Sequence, residues 1–210
     1  MPDIAICVAT RLEQADLADS GAIAGVTFEV VRTGVGPVNA AIALTRFLAS
    51  NPTRLVISCG IGGAYPESGL QPESVACAET EIYADLGAES PDGFLDMEAI
   101  GFPVVKEHYN LLPLDRFPAP TRVPFVTRTT CTGNLESALE VVKRTAGAVE
   151  SMEGAAIVHT ALAHGLPVGE IRGISNPIGN RDRAAWRLHE AAHAAVEILS
   201  GWIEEAGARG

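Results

Sequence analysis

The chain has 210 residues, 47% of them hydrophobic, and its 15 Lys and Arg stand against 26 Asp and Glu for a formal charge of −11. That length fits one domain able to bury roughly 70% of its unfolded surface. The charge excludes a nucleic-acid-binding face, which would have to be basic, and no uncharged stretch approaches the roughly 20 residues that span a bilayer.

Residues 4–9 form a short apolar run suited to a central strand. Glu13 follows in Thr10-Arg11-Leu12-Glu13, where a solvated acid at a helix start would suit the helix dipole. A second strand at 26–31 ends at Thr33-Gly34-Val35-Gly36-Pro37. Helical spacing then runs over 38–48 through Val38, Ala41, Ile42, Leu44 and Leu48, with Pro37 as first helical residue. A strand at 55–58 leads into Gly60-Ile61-Gly62-Gly63, read as a second tight turn whose glycines allow close backbone approach.

Residues 75–83 form a strand of mixed exposure. Residues 86–99, with Gly87, Pro91, Asp92 and Gly93, are predicted to be a long loop of the sort that often carries function. A strand at 123–130 precedes a helix capped by Asn134 and ending near Gly147. The next helix spans 153–164 and stops at Gly165-Leu166-Pro167; Ser151 suits its cap and Glu153 its first turn. A buried strand at 168–174 leaves Asn176 just past its end, before a proline that favours extended backbone. The last helix is predicted from near Asp182 to about Ala206, with Gly207 as its stop. Strands alternating with helices, without repeat or linker, predict a single α/β domain.

The cysteines, Cys7, Cys59, Cys77 and Cys131, include no Cys-x-x-Cys pair, and three lie in apolar runs where Cys acts as a small hydrophobe. This spacing argues against a disulfide framework or zinc site. Asp3, with no basic segment ahead of an apolar run, argues against a signal peptide. The expected compartment is the cytoplasm.

Two motifs invite chemistry that the surrounding residues do not support. Gly34-Val35-Gly36-Pro37-Val38-Asn39 follows a dinucleotide fingerprint for three residues. Asn39 then replaces the third glycine, and Ser58 and Cys59 stand where the ribose-binding acid belongs. The turn remains open to two readings, a packing device or a helix start that favours an anion. His189-Glu190-Ala191-Ala192-His193 has the spacing of a helical zinc site. Its helix is expected to bury Ala185, Leu188, Ala192, Ala195, Leu199 and Trp202, with both histidines beside the stripe. The acids that follow, Glu197, Glu204 and Glu205, share that helix and cannot fold back to complete a site. No metal is expected, and His159 and His164 are read as surface or core-edge residues.

Glu13, Glu153, Arg172 and Asn176 are different. Singly, Glu13 and Glu153 have bland readings, but polar groups at the strand ends of an α/β sheet are where ligands bind. Together they have the composition of a nucleoside site.

The order Glu13, Gly34-x-Gly36, Gly60-x-Gly62-Gly63, Ser151-Met152-Glu153-Gly154-Ala155-Ala156 and Arg172-Gly173-Ile174-Ser175-Asn176 resembles the purine nucleoside phosphorylase/uridine phosphorylase superfamily. Within it, the pattern is similar to the nucleosidases that cleave methylthioadenosine and S-adenosylhomocysteine. Ser175-Asn176-Pro177-Ile178-Gly179-Asn180-Arg181-Asp182, followed by Trp186, resembles the futalosine hydrolases of the alternative menaquinone pathway. So does Asp85-Leu86-Gly87-Ala88-Glu89 with Pro91-Asp92-Gly93-Phe94.

The resemblance implies a three-layer α/β/α sandwich with a central mixed sheet, an N-ribosyl hydrolase that uses no cofactor, and a small-molecule nucleoside as partner. It also implies a homo-oligomer, at least a dimer, with an interface near the site. Glu13 would orient and deprotonate the attacking water. Glu153 would bind the ribose hydroxyls, since a carboxylate accepts a hydrogen bond from each, and Met152 would pack on the sugar. Gly60, Ile61 and Gly62 would border the substrate, Arg172 would support the strand-end residues, and Ser175 would lie near the base.

Asn176 departs from the aspartate that adenine-cleaving nucleosidases carry. A carboxamide cannot donate a proton, but its NH2 can hold the N7 and O6 acceptors of a 6-oxopurine as charge builds there. The exchange points towards hypoxanthine as leaving base. Ile61 replaces a serine, and that less polar wall favours water over phosphate as nucleophile. A phosphorylase of the same fold would need a basic pocket, for which Arg11 and Arg46 are the sources. A catalytically idle binding protein would not need a base at the reaction centre.

Overall fold

The computed structural model describes residues 1–115, 121–179 and 182–208. Asn180 and Arg181 of the family-like segment lie outside the described residues.

The first strand, β1 (Ile4–Val8), is buried along its whole length because helices cover both faces of the sheet. Its alternation sorts the core: Ile4, Ile6 and Val8 face one cluster, and Ala5 and Cys7 face the other. After the short helix α1 (Arg11–Gln14) come β2 (Ser20–Ile23) and β3 (Val26–Arg32). Helix α2 (Pro37–Ser50) begins with Pro37 after Gly36 at φ +94, a conformation that suits glycine. Strand β4 (Leu55–Ala64) and β5 (Val75–Tyr83) follow, then β6 (Gly87–Ser90), β7 (Gly93–Asp96), β8 (Leu111–Pro113) and β9 (Arg122–Thr127). The chain finishes with α3 (Leu135–Thr145), β10 (Val149–Ser151), α4 (Gly154–Ala163), β11 (Val168–Pro177), a 3-10 turn at Arg183–Ala185 and α5 (Leu188–Ala208).

The central sheet is mixed, in the order β10-β9-β5-β11-β4-β1-β3-β2, with β8 on β5. Strand β10 also pairs with β4, so β4, β11, β5, β9 and β10 close a ring at one end of the sheet. Helix α5 packs on one face, where Ala195, Leu199 and Ile203 meet Ile6 and Ile57. Helices α2 and α4 pack on the other through Leu44, Ala156 and Ile157.

Several expectations are corrected. Gly60-Ile61-Gly62-Gly63 is not a turn, because β4 continues through it to Ala64. The glycines give clearance: a Cβ on Gly60 would collide with the Glu13 carboxylate and Arg172, and one on Gly62 would lie 2.6 Å from Val149. Asn176 lies inside β11 rather than beyond it, since a register shift after Ile174 lets that strand continue along β4 to Pro177. Residues 86–99 hold the β6–β7 hairpin, a separate two-stranded sheet whose Phe94 lies under the Arg144 guanidinium at 4.5 Å. The strand predicted at 123–130 ends at Thr127.

The last helix starts at Leu188, not near Asp182. Asp182 caps the 3-10 turn, and the Arg187 N–H then bonds the Ser175 carbonyl at 2.8 Å, so the chain is drawn onto β11 before α5 begins. The buried stripe of α5 is Ala191, Ala192, Ala195, Val196, Leu199 and Ile203. Ala185 is exposed and outside the helix, while Leu188 and Trp202 are half-buried. Gly207 does not stop α5 but lies within it, where a Cβ would strike the Ala24 carbonyl.

Candidate active site

The C-terminal ends of the parallel strands β1, β4 and β11 open onto a cavity of about 310 Å³. Strand ends of this kind are where α/β folds hold ligands. Ile61, Gly62, Met152, Ser175 and Asn176 lie on its wall together with Glu13 and Glu153.

Thr10 caps α1 by accepting from the Glu13 N–H at 3.3 Å, which turns the Glu13 side chain inwards to 5% exposure. It is therefore not the solvated acid of the bland reading. Its Oε1 accepts from the Ile61 N–H at 3.2 Å and its Oε2 from the Thr10 hydroxyl at 3.1 Å.

Glu153, also 5% exposed, enters from the start of α4. Its Oε1 accepts from the Gly36 N–H at 2.7 Å, so the fingerprint-like turn at the start of α2 holds one of the protein's own carboxylates. That fits the general preference of helix N-termini for negative charge. The expected cap is corrected: Glu153 itself is the N-cap of α4 rather than a first-turn acid, and Ser151 lies two residues before it, its hydroxyl accepting from the Gly154 N–H at 3.2 Å. Burial pushes the Glu153 carboxyl above its ordinary value, against the opposing pull of Arg172 and the Gly36 N–H.

Arg172 and Gly60 do not line the cavity; they lie behind Glu13. The Arg172 Nη1 is 3.7 Å from Glu13 Oε1, its Nε donates to Glu170 Oε1 at 2.8 Å, and its Nη2 donates to the Ser58 hydroxyl at 2.8 Å. Burial works against this charge, but Glu170, Glu13 and Glu153 more than offset it and hold the guanidinium above its ordinary value. The Ser175 hydroxyl lies 2.8 Å from Asn176 Oδ1 and 3.1 Å from the Gly62 carbonyl, while Asn176 Nδ2 donates to the Pro177 carbonyl at 3.0 Å. These contacts fix the carboxamide and, among the described residues, leave one Nδ2 hydrogen uncommitted.

Among the described residues that line the cavity there is no Lys, Arg or His. Arg11 turns outwards to Asp19 at 3.3 Å, and Arg46 is exposed on α2. His193 lies 3.2 Å from Asp16 on the exposed side of α5, and His189 is exposed beside it. His159 is half-buried, 3.3 Å from the Tyr83 hydroxyl, and His164 is exposed. Sequence reasoning missed Glu150 and Thr132 on the cavity wall and Glu170 beneath it. The signal for Glu170 was available: an acid two residues before an arginine in a strand lies on the same face.

The fold agrees with what sequence and structure comparisons find. The phosphorylase superfamily model matches residues 19–205. A futalosine hydrolase of Streptomyces coelicolor is 41% identical over 82% of this chain and 77% of that relative. One of Thermus thermophilus is 36% identical over 88% and 85%. The chain belongs to the phosphorylase superfamily and, within it, to the futalosine hydrolase family. The fold likeness extends to the native structure of the futalosine hydrolase of Helicobacter pylori. That structure has a TM-score of 0.81 at 15% identity and covers 97% of this chain and 98% of that one. Among the described residues no helix is long and apolar enough to cross a membrane.

Proposed function

We propose that this chain hydrolyses the N-glycosidic bond of futalosine, releasing hypoxanthine and dehypoxanthine futalosine. The observation that carries the proposal is the pairing of two buried carboxylates, Glu13 and Glu153, across a cavity whose described lining has no basic side chain. The family's named activity supports the choice of substrate.

In this mechanism Glu153 accepts the ribose hydroxyls and Met152 packs on the sugar, which sets C1′ in place. Glu13, held by Ile61 and Thr10, takes a proton from water as its oxygen bonds to C1′. The C1′–N9 bond breaks and its electron pair passes to the purine. Asn176 stabilises that charge through its uncommitted Nδ2–H and transfers no proton, so the departing base is protonated from solvent. Arg172 braces Glu13 from behind.

The absence of basic groups from the described lining disfavours a phosphate nucleophile, which the carboxylates would repel. The test is product identification after incubation with futalosine, aminodeoxyfutalosine, methylthioadenosine and inosine, with and without phosphate and EDTA. Futalosine should be cleaved fastest, at a rate indifferent to both additions. A ribose 1-phosphate product, or activity abolished by chelation and restored by zinc, would refute the reading. The proposal includes at least a dimer, supported by apolar Val35, Val38 and Ile42, which are exposed at the start of α2 beside the cavity. Light scattering during size exclusion checks it, and a monomeric mass counts against it.

A further inference from the structure

Glu150 lies on the cavity wall at 6% exposure and has no part in the chemistry assigned above. Its position in the sheet gives it one. Gly63 of β4 pairs with Glu150 of β10 along one edge and with Asn176 of β11 along the other. Residues opposite one another in a ladder project to the same face, and both side chains line the same cavity. Two strand spacings put their Cα atoms roughly 9–10 Å apart. The residue between them is glycine, and the Ile178 side chain packs over it, 2.7 Å from where a Cβ would stand. Ile178 also lines the cavity, so a flat bicyclic base spanning the two polar groups would lie against an apolar side chain.

The two groups have opposite hydrogen-bonding sense. Asn176 presents an Nδ2–H, whereas both Glu150 oxygens act as acceptors. Glu150 Oε2 accepts from the hydroxyls of Tyr65 and Thr132, each at 2.5 Å, and Oε1 accepts from the Thr132 N–H at 2.8 Å. Three donors hold the carboxylate in one orientation. They fill three of its roughly four lone-pair positions, which among the described residues leaves one on Oε1.

We propose that Glu150 is a specificity-determining residue that accepts the N1–H of a 6-oxopurine, while Asn176 donates to the O6 and N7 edge of the same ring. The inference rests on the nucleosidase reading above and deepens it. A 6-oxopurine carries a donor at N1 and acceptors at O6 and N7, the complement of this pair. A 6-aminopurine carries a bare lone pair at N1, which the carboxylate repels. The site then selects hypoxanthine by two groups of opposite sense, and exchanging Asn176 for an acid would not alone convert it to adenine.

Three measurements test this. The first is kcat/KM of the wild type for futalosine and its 6-amino analogue. The second is product inhibition of the wild type by hypoxanthine, 1-methylhypoxanthine and adenine. The third repeats the substrate comparison in Glu150→Gln, whose amide keeps the shape and can turn a donor towards N1. Hypoxanthine should inhibit at least tenfold better than the other two bases. The preference for the 6-oxo substrate should fall by about ten- to a hundredfold in the variant, as for a lost hydrogen bond to a charged group. Equal inhibition by hypoxanthine and 1-methylhypoxanthine, or an unchanged substrate preference in folded Glu150→Gln, overturns the assignment. If the variant does not fold, the base series on the wild type decides alone. A wild type that cleaves neither nucleoside overturns the functional reading and this inference with it, whereas futalosine cleavage without base discrimination overturns the inference only.

Discussion

Glu13 and Glu153 are equally buried yet held in different ways, and the difference separates their proposed roles. Glu13 is held at both oxygens, by Ile61 and Thr10, with the Arg172 charge 3.7 Å behind it. Glu153 takes one backbone N–H from Gly36. Glu13→Gln should therefore lower kcat by about a hundred- to ten-thousandfold with little change in KM, because the amide keeps the shape without the basicity. Glu153→Gln should raise KM and lower kcat together. Steady-state kinetics on futalosine check both, and near-normal kcat in Glu13→Gln would reduce that residue to a buried helix-start acid. Both positions could be picked out in the sequence as acids at strand-to-helix junctions. That they face one cavity was not legible there, because it depends on the Thr10 cap and on a contact between Gly36 and Glu153, 117 positions apart.

Strand β4 shows why element boundaries were harder to read than element identities. Glycine normally weakens a strand, so three within four residues after an apolar run suggest a turn. Here the strand is kept by partners on both edges, β11 along its length and β10 at its end. The glycines are needed because Glu13, Arg172 and Val149 crowd the positions where Cβ atoms would stand. Gly60→Ala should consequently act on function as well as stability. Overpacking at such a site costs roughly 1–3 kcal/mol, and the simplest relief moves the Glu13 carboxylate. The variant should melt several degrees lower and lose at least ~10-fold in kcat while KM changes less. Thermal melts and steady-state rates measure the two effects. A variant with wild-type kcat would show that the close approach of β4 to Glu13 does not set the carboxylate's position. The hairpin β6–β7 and strand β10 escaped sequence reading for another reason: they are short, and pairing rather than an apolar pattern defines them.

Across the whole molecule, the single Arg172 guanidinium is flanked by Glu13, Glu153 and Glu170, and Glu81 lies beyond Glu170 in the same interior. So much buried negative charge is unfavourable unless part of it is neutralised. Glu81 is the group that gives way. Burial first, and then the neighbouring Glu170, raise its carboxyl well above the ordinary value of 4.5. Its Oε1 accepts the Thr127 hydroxyl at 2.5 Å, while neither Glu81 Oε2 nor Glu170 Oε2 has another hydrogen-bond partner among the described residues. One proton on Glu81, shared between those oxygens, satisfies both. The consequence for stability has a definite sign. Between pH 4.5 and the raised value, the folded protein holds a proton that the unfolded chain has released. Unfolding free energy contributed by Glu81 is thus fully present below 4.5 and is lost as pH climbs through the raised value. Glu81→Gln replaces the protonated acid with a neutral amide that can accept from Thr127 and donate to Glu170. Urea denaturation of both proteins across this range should show the wild type losing stability with pH more steeply than the variant, so that their difference moves in the variant's favour as pH rises. Parallel curves would mean that Glu81 does not carry the proton, and that the charge beside Arg172 is balanced in some other way.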